Sequence, residues 1–114
     1  MKTLTLTPLI ALGLAGAATA ALPMLYEEQM ARAEEARIIK SPIAGIKNSR
    51  WFDYRTDIGE AEKELHSDLR NVSDLEDRRD AWEEYAHELK NERVEYVQYM
   101  AKRGHRYGTV IWDD

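Results

Sequence analysis

An acid and an imidazole three residues apart form the pattern in this sequence that most directly suggests chemistry. Glu84-x-x-His87 places a carboxylate and an imidazole on adjacent turns of a helix, where both can bind one metal ion. Di-iron bundles use two such motifs and two further carboxylates, and the second motif is missing here. Because two ligands do not make a structural or catalytic zinc site, we predict no metal site and no cofactor. The weak metal candidates are His66, Glu84 and His87.

Residues for covalent or phosphate chemistry are missing from the sequence. The chain has no cysteine, no serine in a glycine-rich elbow and no glycine-rich phosphate loop. Its adjacent acids, such as Glu83 and Glu84, belong to charged helical segments. A thin helical core offers no cleft in which the pKa values of such acids could shift. The sequence therefore predicts a protein that is not an enzyme.

Helix-forming segments make up most of the chain after residue 23. A Ser-Pro pair ends the first segment, because proline disfavours the helical conformation in the residue before it. Asp57 with Glu60, and Ser73 with Glu76, match the capping box that begins a helix. Gly104 can adopt the left-handed conformation that ends one. We predict an all-α protein with helices at about residues 24–40, 57–72 and 73–103, an aromatic loop at 41–56 and a short apolar C-terminal tail.

Apolar residues of the second and third predicted helices form matching stripes. In the third helix the stripe consists of Leu75, Trp82, Leu89, Tyr96 and Met100. Because the connection between the two helices is very short, they are predicted to form an antiparallel hairpin within a small three-helix bundle. A second stripe, Val94, Val97 and Ala101, needs another cover. The first helix, the aromatic loop, the tail or a second copy of the chain could supply it.

The segment SRWFDYRTD, residues 49–57, concentrates three aromatic side chains between arginines. We favour the interpretation that they cover the core of the protein, because buried aromatic side chains contribute much of its stability. The alternative is a partner-binding hook, since Trp, Tyr and Arg dominate interface hot spots. The C-terminal segment RYGTVIWDD leaves a similar choice: it folds back on the bundle or offers a short strand to a partner.

The N-terminus has the layout of a secretory signal peptide. Lys2 precedes an apolar stretch, and Ala18-Thr19-Ala20 matches the small-residue cleavage pattern. We therefore predict a signal peptide at residues 1–20 and a helical domain at 21–114. The apolar run continues to Tyr26, about the length of a membrane span, so an uncleaved anchor is the alternative. In both cases residues 27–114 are expected outside the cytoplasm.

The charge of the chain limits its partners. The formal net charge is −5, and removal of Lys2 makes it −6. Such a charge argues against nucleic acid and against anionic membrane surfaces. We expect membrane association only if the N-terminal segment remains uncleaved. Because an exported chain without cysteine cannot form disulfides, its stability must come from helix packing or association.

These observations predict an exported, non-enzymatic helical protein of the periplasm or cell envelope. It would act through contact with a protein partner or with another copy of itself. The candidate contact residues are Trp51, Phe52, Tyr54, Val94, Val97, Tyr99, Tyr107 and Trp112. One alternative is a small periplasmic chaperone or stress protein that shields unfolded clients, because the helical architecture is similar to that group. Another is a metal-binding periplasmic protein.

Overall fold

Three α-helices form the structure of the chain. The computed structural model describes residues 23–108, so the predicted signal peptide and most of the C-terminal tail, including Trp112, lie outside the described residues. The helices are α1 (Tyr26–Glu35), α2 (Ser49–Arg70) and α3 (Leu75–Lys102), with one turn of 3-10 helix at Ile43–Gly45. No strand occurs within residues 23–108. The predicted all-α bundle is confirmed.

The long helix α3 is the scaffold of the bundle, because α1 and α2 both pack along it. The aromatic ring of Tyr54, near the start of α2, stacks on that of Tyr96, near the end of α3. The two helices are therefore antiparallel, which confirms the predicted hairpin. Helix α1 runs parallel to α3, since Glu27 contacts Arg79 and the later Glu34 contacts Arg93.

Helix α2 begins eight residues earlier than the sequence pattern indicates. Its N-cap is Asn48, whose side-chain oxygen accepts a hydrogen bond from the backbone N–H of Trp51 at 3.0 Å. Asp57 lies inside the helix, so Asp57 and Glu60 do not form a capping box. The predicted aromatic loop at 41–56 is accordingly shorter, and its aromatic residues are helical. Burial of the first turns of α2 against α3 stabilises the helix beyond the local capping signal.

Helix α3 begins two residues after the predicted start. Its N-cap is Asp74, which accepts a hydrogen bond from the backbone N–H of Asp77 at 2.8 Å. The Ser73 hydroxyl donates instead to the Asp77 carboxylate at 2.7 Å. Leu75, which the sequence places in the apolar stripe, is exposed. Gly104 has a φ of 89°, the left-handed conformation expected at the end of the helix.

Residues 36–48 connect α1 to α2 and lie partly in the core. Helix α1 ends at Glu35 rather than at residue 40, and Ile39 and Ile43 are buried. Two buried tyrosines satisfy the backbone of this segment. The N–H of Ile39 donates to the Tyr54 hydroxyl at 2.9 Å, and that of Ile43 donates to the Tyr96 hydroxyl at 3.0 Å. These long-range hydrogen bonds take the place of the backbone hydrogen bonds that a longer α1 would form.

Tyr96→Phe is expected to lower the free energy of unfolding by about 1–3 kcal/mol, because it leaves the buried N–H of Ile43 without an acceptor. The matched control is Tyr99→Phe, on the same helix, because the Tyr99 hydroxyl makes no hydrogen bond within residues 23–108. Its effect is expected to stay within about 0.5 kcal/mol. Urea denaturation of both variants measures the difference. Equal losses would show that the Tyr96 hydroxyl does not hold the connecting segment.

Candidate functional site

The predicted contact residues occupy three different environments. Trp51 and Tyr54 are buried in the core, where the Trp51 ring centroid lies 6.1 Å from that of Tyr54 and 5.8 Å from that of Tyr96. Trp51 and Tyr54 therefore form part of the protein's own core and are not available to a partner. Phe52 and Tyr107 are half exposed. The remaining described candidates, Val94, Val97 and Tyr99, are half-buried on α3.

One end of the bundle combines aromatic and cationic side chains. Helix α2 begins and α3 ends here, and the side-chain amide of Asn48 donates to the Met100 sulfur at 3.5 Å. The ring of Tyr99 has two guanidinium groups against it. Their central carbons lie 4.6 Å (Arg50) and 3.7 Å (Arg103) from the ring centroid. Such cation–π contacts fix the direction of both arginines.

We call this region the basic end and define it by Lys47, Arg50, Tyr99, Lys102, Arg103 and Arg106. Within residues 23–108 none of its five cationic side chains forms an ion pair; the arginines that do are Arg32, Arg37, Arg79 and Arg93. Residues 96–108 contain no carboxylate. Phe52 and Tyr107 add half-exposed aromatic surface at the same end. The chain as a whole is acidic, so positive charge is concentrated locally.

Acidic side chains face each other along the rest of the α2–α3 pair. Carboxylate oxygens of Glu64, Glu84 and Glu88 lie within 4.8 Å of one another. Nearer the basic end, Asp57 of α2 lies against Glu92 of α3, and both line a groove that also contains Arg50. We call these five acids the acidic seam. Their mutual repulsion opposes the packing of α2 on α3 at neutral pH.

The acidic seam predicts that mild acid stabilises the protein. Burial, together with a hydrogen bond to the neighbouring Asp57 carboxylate, raises the pKa of Glu92 to about 7 from an ordinary value of 4.5. Between these two pH values the folded chain binds more protons at Glu92 than the unfolded chain does. The free energy of unfolding is therefore expected to rise as the pH falls through this window. Urea denaturation at pH 7.5 and pH 5.5 measures the change.

Asp57→Asn is the matched test of the same interaction. It removes the charge beside Glu92 and should reduce the difference between the two pH values, while the part that comes from burial of Glu92 remains. A hydrogen bond from Arg79 holds the pKa of the Glu27 carboxyl below its ordinary value, so the stability that this contact provides is lost only in stronger acid. Identical urea midpoints for the wild-type chain at both pH values would contradict the assignment.

The three weak metal candidates do not come together. His66 lies at the junction of the three helices, whereas His87 lies in the outer groove between α1 and α3. Glu84 lies close to the carboxylates of Glu64 and Glu88. Glu84 and His87 are both exposed.

Sequence motifs alone do not identify the two arginines against Tyr99. They are 53 residues apart, and the antiparallel pairing of α2 and α3 brings them together. A signal was nevertheless present, because residues 45–52 and 96–108 both carry cations and no carboxylate in an otherwise acidic chain. Combined with the predicted hairpin, that pattern places both segments at one end of the bundle.

The search for membrane-spanning helices and the comparison with known proteins add no information about this site. Within residues 23–108 no helix has the length and apolar character needed to cross a membrane. Comparison with protein-family models, with curated proteins and with solved structures finds no match for this chain.

Proposed function

We propose that this protein is an exported, non-enzymatic binding protein of the periplasm or cell envelope, and that its basic end docks an acidic segment of a partner protein. The observation that carries the proposal is the pair of arginines, Arg50 and Arg103, which both lie against the ring of Tyr99 and form no ion pair with a carboxylate within residues 23–108. The two guanidinium groups bring like charges to the same ring, and a bound carboxylate would offset their repulsion.

The residue types at the basic end support a protein contact. Arginine binds carboxylates through two parallel hydrogen bonds, and its direction here is already fixed by the Tyr99 ring. Tyrosine and arginine are also the residues that most often dominate interface energies. The half-exposed rings of Phe52 and Tyr107 would add apolar contact area at the margin. An acidic protein segment fits this combination of charge and aromatic surface.

The other predicted partners fit this surface less well. The net charge of −5 opposes binding to nucleic acid, and so does the expected export. Asp57 and Glu92 of the acidic seam line a groove with Arg50 and oppose the approach of a broad anionic membrane surface. A segment of limited width, such as an acidic helix or loop, can contact the arginines while avoiding the seam.

The double substitution Arg50→Glu/Arg103→Glu is expected to reduce capture of the partner from the envelope fraction at least tenfold, which corresponds to about 1.4 kcal/mol. The matched control is Arg70→Glu/Arg78→Glu, which makes the same charge change at the opposite end of the bundle. Both control residues are exposed and form no ion pair within residues 23–108. Quantitative mass spectrometry of the co-purified proteins, with circular dichroism as a folding check, gives the comparison. Equal losses in the two variants would contradict the proposal.

A further inference from the structure

Helix α1 packs on α3 with its polar face. Its one buried residue is Ala31, whereas the side chains of Tyr26 and Met30 are 68% and 47% exposed. A surface helix normally turns its apolar face to the core and its polar face to water. The orientation of α1 is the reverse, so hydrophobic burial contributes little to its attachment.

Charged and hydroxyl groups form the side-chain hydrogen bonds and ion pairs between α1 and α3 within residues 23–108. Glu27 binds Arg79 at 3.0 Å, Glu34 binds Arg93 at 2.8 Å, and the Tyr85 hydroxyl donates to Glu35 at 2.6 Å. In the Glu27–Arg79 pair, the Arg79 side chain is exposed to solvent. Exposed ion pairs contribute little to stability and are screened by salt. These contacts determine the position of α1 more strongly than they stabilise it.

The surface of α3 beneath α1 is aromatic and contains a buried hydrogen-bond donor that has no acceptor among the described residues. Trp82, Tyr85 and Ala86 of α3 are all buried there. The indole N–H of Trp82 has no hydrogen-bond partner among the described residues, although the guanidinium of Arg32 lies over the ring at 4.8 Å. A buried donor without an acceptor carries a free-energy penalty. Helix α1 therefore leaves this donor without an acceptor that a different occupant of the same surface could provide.

We infer that α1 occupies a helix-binding groove on the α2–α3 hairpin, and that an amphipathic helix of a partner protein carrying two carboxylates seven residues apart can displace it. The two carboxylates are needed because Arg79 binds Glu27 and Arg93 binds Glu34. These two glutamates are seven residues apart in α1. An acceptor group placed opposite Trp82 would gain the hydrogen bond that α1 does not provide. This groove shares no residue with the basic end, so either proposal can fail while the other stands.

A labelled peptide with the sequence of residues 23–38 is the probe for this groove. It is expected to bind the Glu27→Lys/Glu34→Lys chain at least tenfold more tightly than the wild-type chain, because the substitutions weaken the attached α1. Arg79→Glu/Arg93→Glu should abolish binding of this peptide. A peptide with both glutamates changed to lysine should then bind the Arg79→Glu/Arg93→Glu chain, restoring the charge pairs. Fluorescence anisotropy measures each affinity.

Asp53→Lys/Glu60→Lys is the matched control chain, because it makes the same charge change at exposed acids of α2 outside the α1 contacts. Peptide binding to the Glu27→Lys/Glu34→Lys chain that is no tighter than to this control would overturn the inference. A wild-type dimer that the peptide dissociates would assign the groove to α1 of a second copy and would also overturn it.

Hydrogen exchange of the wild-type chain provides a test that does not depend on any variant folding. The backbone amides of α1 are expected to exchange at least tenfold faster than those in the middle of α3, because α1 detaches while the hairpin remains folded. Equal protection of α1 and α3 would show that α1 is a fixed part of the bundle, and the groove would then not be available to a partner.

Discussion

Trp51→Ala is expected to lower the free energy of unfolding by about 3–5 kcal/mol, the usual loss when a buried tryptophan is truncated. The Trp51 side chain is 4% exposed and packs against the rings of Tyr54 and Tyr96. These two tyrosines also hold the connecting segment through their hydroxyl groups. Loss of Trp51 therefore leaves a cavity where α2 and α3 meet the connecting segment. Thermal and urea denaturation measure the effect.

Phe52→Ala is the matched control for Trp51→Ala, because the two aromatic residues are adjacent in the same helix. Phe52 is 50% exposed and lies outside the core. Its truncation is expected to change the free energy of unfolding by less than about 0.5 kcal/mol. Similar losses at both positions would show that the first turn of α2 is not packed as described.

Leu89→Ala is expected to lower the free energy of unfolding by about 2–5 kcal/mol. Leu89 is 2% exposed in the middle of α3, where it forms part of the main core. Since the surrounding helices cannot collapse fully into the space, the loss includes both the transfer of methyl groups and a cavity. The urea midpoint of the variant is the measurement.

Leu75→Ala repeats the same chemical change on the same helix at an exposed position. Leu75 is 59% exposed, because the first turn of α3 extends beyond the packed part of the hairpin. The expected change in the free energy of unfolding is within about 0.5 kcal/mol. A loss of unfolding free energy at Leu75 comparable to that at Leu89 would support the stripe predicted from the sequence, in which both leucines face the core.

The extent of α3 could be predicted closely because several local signals agree there. The apolar repeat, the acid-rich start and Gly104 all indicate one long helix, and the observed ends differ from the predicted ones by two residues or fewer. The start of α2 could not be found in the same way. An acid followed three residues later by another acid is common inside charged helices, so Asp57 and Glu60 resemble a capping box without forming one.

The end of α1 and its inverted packing depend on contacts that are distant in sequence. Residues 36–40 are compatible with a helix, yet the hydroxyl of Tyr54 binds the backbone of Ile39 from 15 residues away. The sequence of α1 shows one apolar and one charged face, and the usual rule places the apolar face inside. Here Arg79 and Arg93 of α3 attract the charged face instead.

The candidate site was predicted in part. Phe52, Tyr99 and Tyr107 were identified from their aromatic character and lie at or beside the basic end. Trp51 and Tyr54 carry the same kind of side chain but are buried, because helical periodicity turns them toward α3 while Phe52 faces solvent. Aromatic content alone cannot separate these two groups of residues. Helical periodicity through residues 49–57 does separate them, because Trp51 and Tyr54 share a face that Phe52 does not.

Site-specific photo-cross-linking tests the central claim, that the basic end binds an acidic partner, most directly. A photoreactive phenylalanine analogue replaces Tyr107 in one chain and Leu75 in another, which places the probe at half-exposed positions at opposite ends of the bundle. The account predicts that the probe at position 107 captures one protein through a peptide rich in Asp and Glu, and that Arg50→Glu/Arg103→Glu abolishes this cross-link. Capture of the same protein at both positions, or through a peptide without acidic residues, would contradict it.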